Sequence, residues 1–333
     1  MAADPAELSD EDLERLRVHC DEFYKERSIS TYFNTRLAVL AAVNEHREQF
    51  VEWANEGVSF HGLDIQIPSV ETDDAASDPP SANSDPLQWY IQTETISLQH
   101  HALETLLRLY TGLVDAADWL HPLMAVTDRD RNLPELVEQH ITRKTKRAMR
   151  SDVSYLLLGQ SEVPDDEDRL AVLDNLVGIL KVLARKWLDG RRPYNAIKHG
   201  LLISQSNASL SLGPTPDDMV TIADGPSIAF LNHTNWERQP TDEDSEGAKT
   251  RQWTIETKWI RFEQASKLIA VACVLIDCLW SLAVARWSQE GTDKVRLAIL
   301  DPDKINPRML LTAGNGPPGH NMSRNLFTDT KTD

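Results

Sequence analysis

Three residues near the middle of the chain have types and spacing suited to chemistry on a phosphodiester. They are Arg192, Asn195 and His199, within the run KWLDGRRPYNAIKHGLLIS at residues 186–204. A long amphipathic helix is expected to stop at Gly190. A new one would begin at Pro193, because proline lacks the amide that is orphaned at a first helical position. The three residues then stand at i, i+3 and i+7, one stripe along that helix. Arginine there would bind phosphate with its planar fork and offset the charge that grows in the transition state. An imidazole exchanges protons near neutral pH, so His199 could take a ribose 2′-hydroxyl proton or protonate the leaving oxygen. Asn195, one turn away, would orient the ring or the phosphate. This chemistry needs no metal. One histidine is a thin acid–base set, and a symmetric homodimer pooling two copies suits it better.

A plainer reading stands beside this one. Arg191 and Arg192 would cap the last carbonyls of the preceding helix, His199 would be a core histidine bonded to a carbonyl, and Asn195 a surface residue.

A second feature is cationic. RKTKRAMR at residues 143–150 holds five cations in eight residues: Arg143, Lys144, Lys146, Arg147 and Arg150. With Lys198 they are the candidate RNA contacts, since neutralising phosphates releases counterions and supplies affinity. The alternative is a solvated face paired with the chain's excess acids. Asp118 and His121 form an acid-x-x-His pair of the kind used in di-metal bundles, but no second copy follows. A solvated helix end explains the pair, and neither a metal nor a cofactor is expected. Glycine-rich phosphate loops, nucleophile elbows and zinc motifs are absent, which argues against nucleotide hydrolysis and against serine or zinc hydrolysis.

At Arg192 and His199, with six residues between them, and in the phrase YNAIKHG at residues 194–200, the sequence resembles the HEPN superfamily of all-helical proteins. The resemblance covers residues 90–290 by helix order and is residue-specific only in this motif. Ribonuclease members carry an Arg, four to six residues, then a His, and place that composite site across a dimer interface. They usually follow the Arg with a polar residue, where this chain has Pro193. The resemblance implies an RNA-binding or metal-independent RNA-cleaving protein in a defence or stress system. The competing expectation is a non-enzymatic helical protein whose degenerate motif only holds a dimer together.

The elements that must position these residues follow from periodicity. Ser9 and Asp12 form a capping box ahead of Leu13, Leu16, Cys20, Phe23 and Tyr24 at helical spacing. A helix over residues 31–55 would turn Phe33, Leu37, Leu40, Ala41, Phe50 and Val51 inward and end at Gly57. Leu63, Ile65 and Ile67 alternate as in a short strand. Residues 68–86 are acidic and proline-rich, a disordered linker by composition.

Helices are expected over residues 87–124, 133–158 and 165–188. The first would bury Leu103, Leu106, Leu107, Tyr110 and Leu113 and expose His100, Glu104 and Arg108. The third would bury Leu173, Leu176, Val177, Leu180, Leu183 and Trp187. Short alternating runs separated by GPTPDD and ADGPS place a small antiparallel β element near residues 204–257, with a polar loop over 232–251. A last helix runs over residues 260–289, a short strand over 295–300, and a disordered tail over 313–333. The fold class is mainly α, a helical bundle with a small antiparallel β insertion. Residues 1–67 would form an N-terminal helical region and residues 87–300 the HEPN-like domain.

Composition bounds the rest. The chain has 333 residues with 41% hydrophobic and 26% charged side chains, as an ordinary globular protein has. A formal charge of −18 excludes coating nucleic acid or anionic membrane with the whole surface and gives no DNA-specific signal. Cys20, Cys273 and Cys278 lack metal-ligand spacing and read as free thiols in a reducing compartment. The acidic start has no apolar leader, so the expected location is cytoplasmic. Residues 268–285 are nearly all apolar but carry Asp277, which at the centre of a bilayer costs about 2–3 kcal/mol. A helix buried in a bundle is the expectation there, with a membrane-anchored regulator as the third alternative.

Overall fold

The computed structural model describes residues 9–12, 14–15, 18–19, 28–60, 63–65, 86–115, 132–199, 203–212, 215, 218–237, 249–287, 300–312 and 321–330. In chain order the elements are α1 (Ile29–Glu45), α2 (Arg47–Glu56), β1 (Val58–Phe60), β2 (Leu63–Ile65), α3 (Pro86–Asp115) and α4 (Leu133–Val137). A π-helical turn (Glu138–Thr142), α5 (Lys146–Leu158), α6 (Glu167–His199), β3 (Ile203–Leu212) and β4 (Val220–Glu237) follow. The chain continues through β5 (Lys249–Trp259), α7 (Phe262–Trp287), α8 (Pro307–Thr312) and β6 (Asn321–Thr330). The fold is mainly α with an antiparallel four-stranded sheet in the order β3-β4-β5-β6. Contacts divide the chain into two units. The first takes residues 1–38, 98–189 and 266–313, and the second residues 39–97, 190–265 and 314–333.

In the first unit, the apolar rows anticipated from spacing make the core. Leu103, Leu106, Leu107, Tyr110 and Leu113 of α3 are buried, as are Leu173, Leu176, Val177, Leu180, Leu183, Ala184 and Trp187 of α6. Each large aliphatic side chain removed from water contributes on the order of 2 kcal/mol. Gly178 of α6 allows a close approach, since a Cβ there would meet Pro307 Cγ of α8 at 2.5 Å. Buried Asn175, one turn away from it, donates to the Ile305 carbonyl at 2.9 Å. Helix α7 buries Leu268, Ile269, Ala272, Leu275, Ile276, Leu279 and Ala283. Among the described residues one helix, Phe262–Arg286, is long and apolar enough to cross a membrane, and 61% of its most apolar window is buried inside the protein.

Several expectations change here. The helix anticipated over residues 133–158 is broken. After the π-helical turn, Thr145 adopts an extended conformation (φ −66°, ψ 156°), and its side chain accepts from the Ala148 amide to start α5. A threonine that caps its own helix competes with continuing the previous one. His100 is not on a solvated face: it is buried and stacks on Trp187 with centroids 5.7 Å apart. The helix anticipated over residues 31–55 is split at His46 into α1 and α2. Phe33 and Leu40 are buried as expected, but Val51 is exposed, and Gly57 ends α2 at φ 76°.

In the second unit, ADGPS does not separate two strands. β4 runs through it, with Gly225 at φ 109°, a conformation that favours glycine. β4 also extends to Glu237 and β5 starts at Lys249, so both strands take in part of the anticipated polar loop. Residues 321–330 of the anticipated disordered tail form β6, paired antiparallel to β5. Leu63 and Ile65 lie in β2, paired with β1. The Ser9–Asp12 box is present: the Asp12 amide donates to Ser9 Oγ at 3.2 Å. Outside the described residues lie the linker at 68–85, Asp118, His121, Cys20, the apolar row of the first helix, Ile67 and residues 295–299.

Burial pushes the Cys273 thiol up to about 12, and the charge of Asp277 adds to the rise. A thiol held protonated and out of solvent is a poor nucleophile. In a Cys20→Ser chain, neither Cys273 nor Cys278 should react with an aromatic disulfide reagent at pH 8 in native buffer. Both should react in denaturant, as titrated by absorbance.

Candidate functional site

The stripe is a property of α6. The helix does not stop at Gly190. It continues through Arg191, Arg192 and Pro193 to His199, with the proline inside it. Proline withholds one amide from the carbonyl four residues back. That carbonyl belongs to Asp189, an exposed residue, so water can replace the missing donor. Gly190 and Pro193 themselves are buried, which ties this stretch down by packing. The break expected from Gly-Arg-Arg-Pro is therefore corrected, while the spacing survives because all three residues share one helix.

The end of α6 has two faces. Tyr194, Ala196 and Ile197 pack against the cluster of Ile96, Ile228 and Phe230, which joins α3 to β4 within the second unit. Arg192, Asn195, Lys198 and His199 are exposed. The core-histidine alternative for His199 is thus not what the fold builds. Lys198 and His199 occupy the last turn of α6, where positive charge suits the helix dipole.

Arg192 is already engaged. Its Nη1 donates to Glu256 Oε1 of β5 at 3.0 Å, and the same oxygen accepts from Asn232 Nδ2 of β4 at 2.6 Å. Phe230 lies opposite Glu256 in the β4–β5 register, so the carboxylate stands beside the apolar cluster that seats the helix. The Glu256 side chain is 12% exposed and that of Arg192 61%. One donor of the guanidinium is fixed while much of the group still faces solvent. Neither Glu256 nor Asn232 carries a signal in sequence. An alternating strand residue reveals its partner only once the register is known.

The cationic run lies in the first unit and divides. Arg143 pairs with Glu138, Lys144 with Asp152 at 2.9 Å, and Arg150 binds Asp174 through two hydrogen bonds of 2.8 Å. Lys146 and Arg147 are exposed and have no ion pair among the described residues. The paired half matches the alternative of a face neutralised by the chain's own acids. Among the described residues no group of three His, Cys, Asp or Glu side chains could hold a metal ion. No family model, no curated protein and no solved structure matches this chain.

Two consequences can be measured. Replacing Glu256 with Ala removes the acceptor from Asn232 and from Arg192. Urea unfolding should register a loss of about 1–2 kcal/mol, and an unchanged midpoint would mean the pair is solvent-weak. The second concerns acid. Hydrogen bonds from Arg150 hold the Asp174 carboxyl below its ordinary range, against the opposing effect of partial burial. A depressed folded value means the contribution is present above the ordinary carboxylate range and is lost as pH falls through the folded pKa. The stability gap between the native chain and Asp174→Asn should therefore be full at pH 6 and narrow steadily below pH 4.

Proposed function

We propose that the protein binds RNA at the exposed Arg192–Asn195–His199 stripe and cleaves it without a metal, as a HEPN-like ribonuclease would. One observation carries the reading: a cation, an amide and an imidazole share one exposed face of the last two turns of a helix whose opposite face is locked into the core. In this reading the free edge of the Arg192 guanidinium binds a phosphate oxygen, and Glu256 holds the side chain in the orientation that presents it. His199 accepts the 2′-hydroxyl proton as that oxygen attacks phosphorus, leaving a cyclic phosphate and a free 5′-hydroxyl. Protonation of the leaving 5′-oxygen completes the step. Two copies of the stripe meeting across a symmetric homodimer would supply the acid and the base together. A cytoplasmic RNA and a role in defence or stress belong to the same proposal.

A second reading is favoured by the Arg192–Glu256 pair itself. Two opposite charges satisfied by each other hold a helix end on a sheet and ask for no ligand. The protein is then a helical interaction module with an Arg and a His that resemble a site.

Cleavage of mixed single-stranded and structured RNA by the purified chain in EDTA decides between them. Under the first reading, His199→Ala and Arg192→Ala lower the rate at least 100-fold with circular dichroism unchanged. Cleavage that persists in both variants, or no cleavage by the native chain, favours the interaction module.

A further inference from the structure

Among the described residues of the first unit, cations without an ion pair of their own come from two helices, although the charge of Lys146 is felt by Asp174. On α5, Lys146 stands one turn before Arg150, with Arg147 beside it. On α6, Lys181 and Arg185 stand seven and eleven residues after Asp174, within about 20° of its line along the helix at 100° per residue. The bidentate Arg150–Asp174 bond clamps the two stripes together. From that clamp α5 leads back to Lys146 as α6 leads forward to Lys181 and Arg185. Lys181 confirms the convergence, since its Nζ donates to the carbonyls of Thr142, which ends the π-helical turn, and of Lys144, just ahead of α5.

The group has excess positive charge. Asp174, Asp152 and Glu138, the acids bonded to this run, are taken by Arg150, Lys144 and Arg143. Lys146, Arg147 and Arg185 are exposed, with no ion pair among the described residues. Lys181 is held below its ordinary value, first by burial and then by the nearby charges of Arg185 and Lys146. Like charges kept this close repel one another, as their part in the lowered Lys181 value shows. The cost is offset when an anion arrives.

We propose that Lys146, Arg147, Lys181 and Arg185 form a docking surface for the phosphodiester backbone of single-stranded RNA. Cations one turn apart on a helix lie about 6 Å from each other, so neighbouring phosphates of one extended strand can each meet one. The surface shares the RNA of the reading above but none of its residues, and either can fail without the other.

The probe is a fluorescein-labelled single-stranded RNA of mixed sequence, titrated with the full chain in EDTA at a series of salt concentrations and followed by anisotropy. All proteins carry His199→Ala, so that the RNA stays intact. Adding K146A, R147A and R185A should flatten the slope of log K against log salt by about 2, at roughly 0.7 per lost phosphate contact. Binding at the lowest salt should weaken at least tenfold. R185E alone should move both readouts in the same direction, which guards against a fold defect in the triple variant. An unchanged slope in a folded triple variant overturns the proposal, and so does absence of binding by the parent. Displacement of the RNA by poly-glutamate at equal charge concentration would also overturn it, reassigning the surface to an acidic protein. A slope that responds while the native chain never cleaves RNA sinks only the stripe.

Discussion

The stripe depends on α6 remaining one helix across Gly190 and Pro193. A glycine costs about 1 kcal/mol and a proline about 3 kcal/mol in a helix interior, so local preference alone would end it there. Packing outweighs that preference. Leu180, Leu183, Ala184 and Trp187 precede the weak stretch in a buried row, and Tyr194 and Ile197 follow it, half-buried. Stopping the helix at Gly190 would turn these two away from Ile228 and Phe230. The exposed side of the same turns then presents Arg192, Asn195 and His199, so the polar stripe is the reverse of an apolar anchor.

Much of the fold was legible because it rests on periodicity. The buried rows of α3 and α6, the apolar stretch of α7 and the alternation in β4 and β5 are single-element properties that a sequence states directly. What was not legible depends on competition between neighbours. Thr145 could continue a helix or cap a new one, and only its extended conformation settles which. Gly225 looked like a turn, yet within β4 it supplies the positive φ that the strand needs to pass that point. β6 looked like a polar tail, because a strand can take its order from the ladder of β5 rather than from its own apolar content.

The candidate site was half legible for the same reason. Arg192, Asn195 and His199 share a helix, so their spacing predicts their common face. Glu256 is 64 residues from Arg192 in sequence, and its relation to it exists only through the β4–β5 register. The cationic patch divides likewise. The run at residues 143–150 announces itself, but which of its members are neutralised is decided by Glu138, Asp152 and Asp174. Lys181 and Arg185 attract no notice in a helix whose period is read for its leucines.

These charges bear on how a phosphate could be held at all. With Arg192 Nη1 3.0 Å from Glu256 Oε1, a phosphate on the same guanidinium in the proposed site would lie on the order of 6 Å from that carboxylate, close enough for unit charges to repel. The two would repel by about 0.7 kcal/mol at the dielectric of water and about 3 kcal/mol at a protein-surface value near 20. That offsets much of what a guanidinium offers at a similar distance. In the proposed site Arg192 would thus orient a phosphate rather than attract one. Attraction has to come from cations without carboxylate partners. Such cations among the described residues include Lys198 at the end of α6 and, in the other unit, Lys146, Arg147 and Arg185. A protein so acidic overall can bind a polyanion only where its own acids have been locally outnumbered, and α5 with α6 offers such a place.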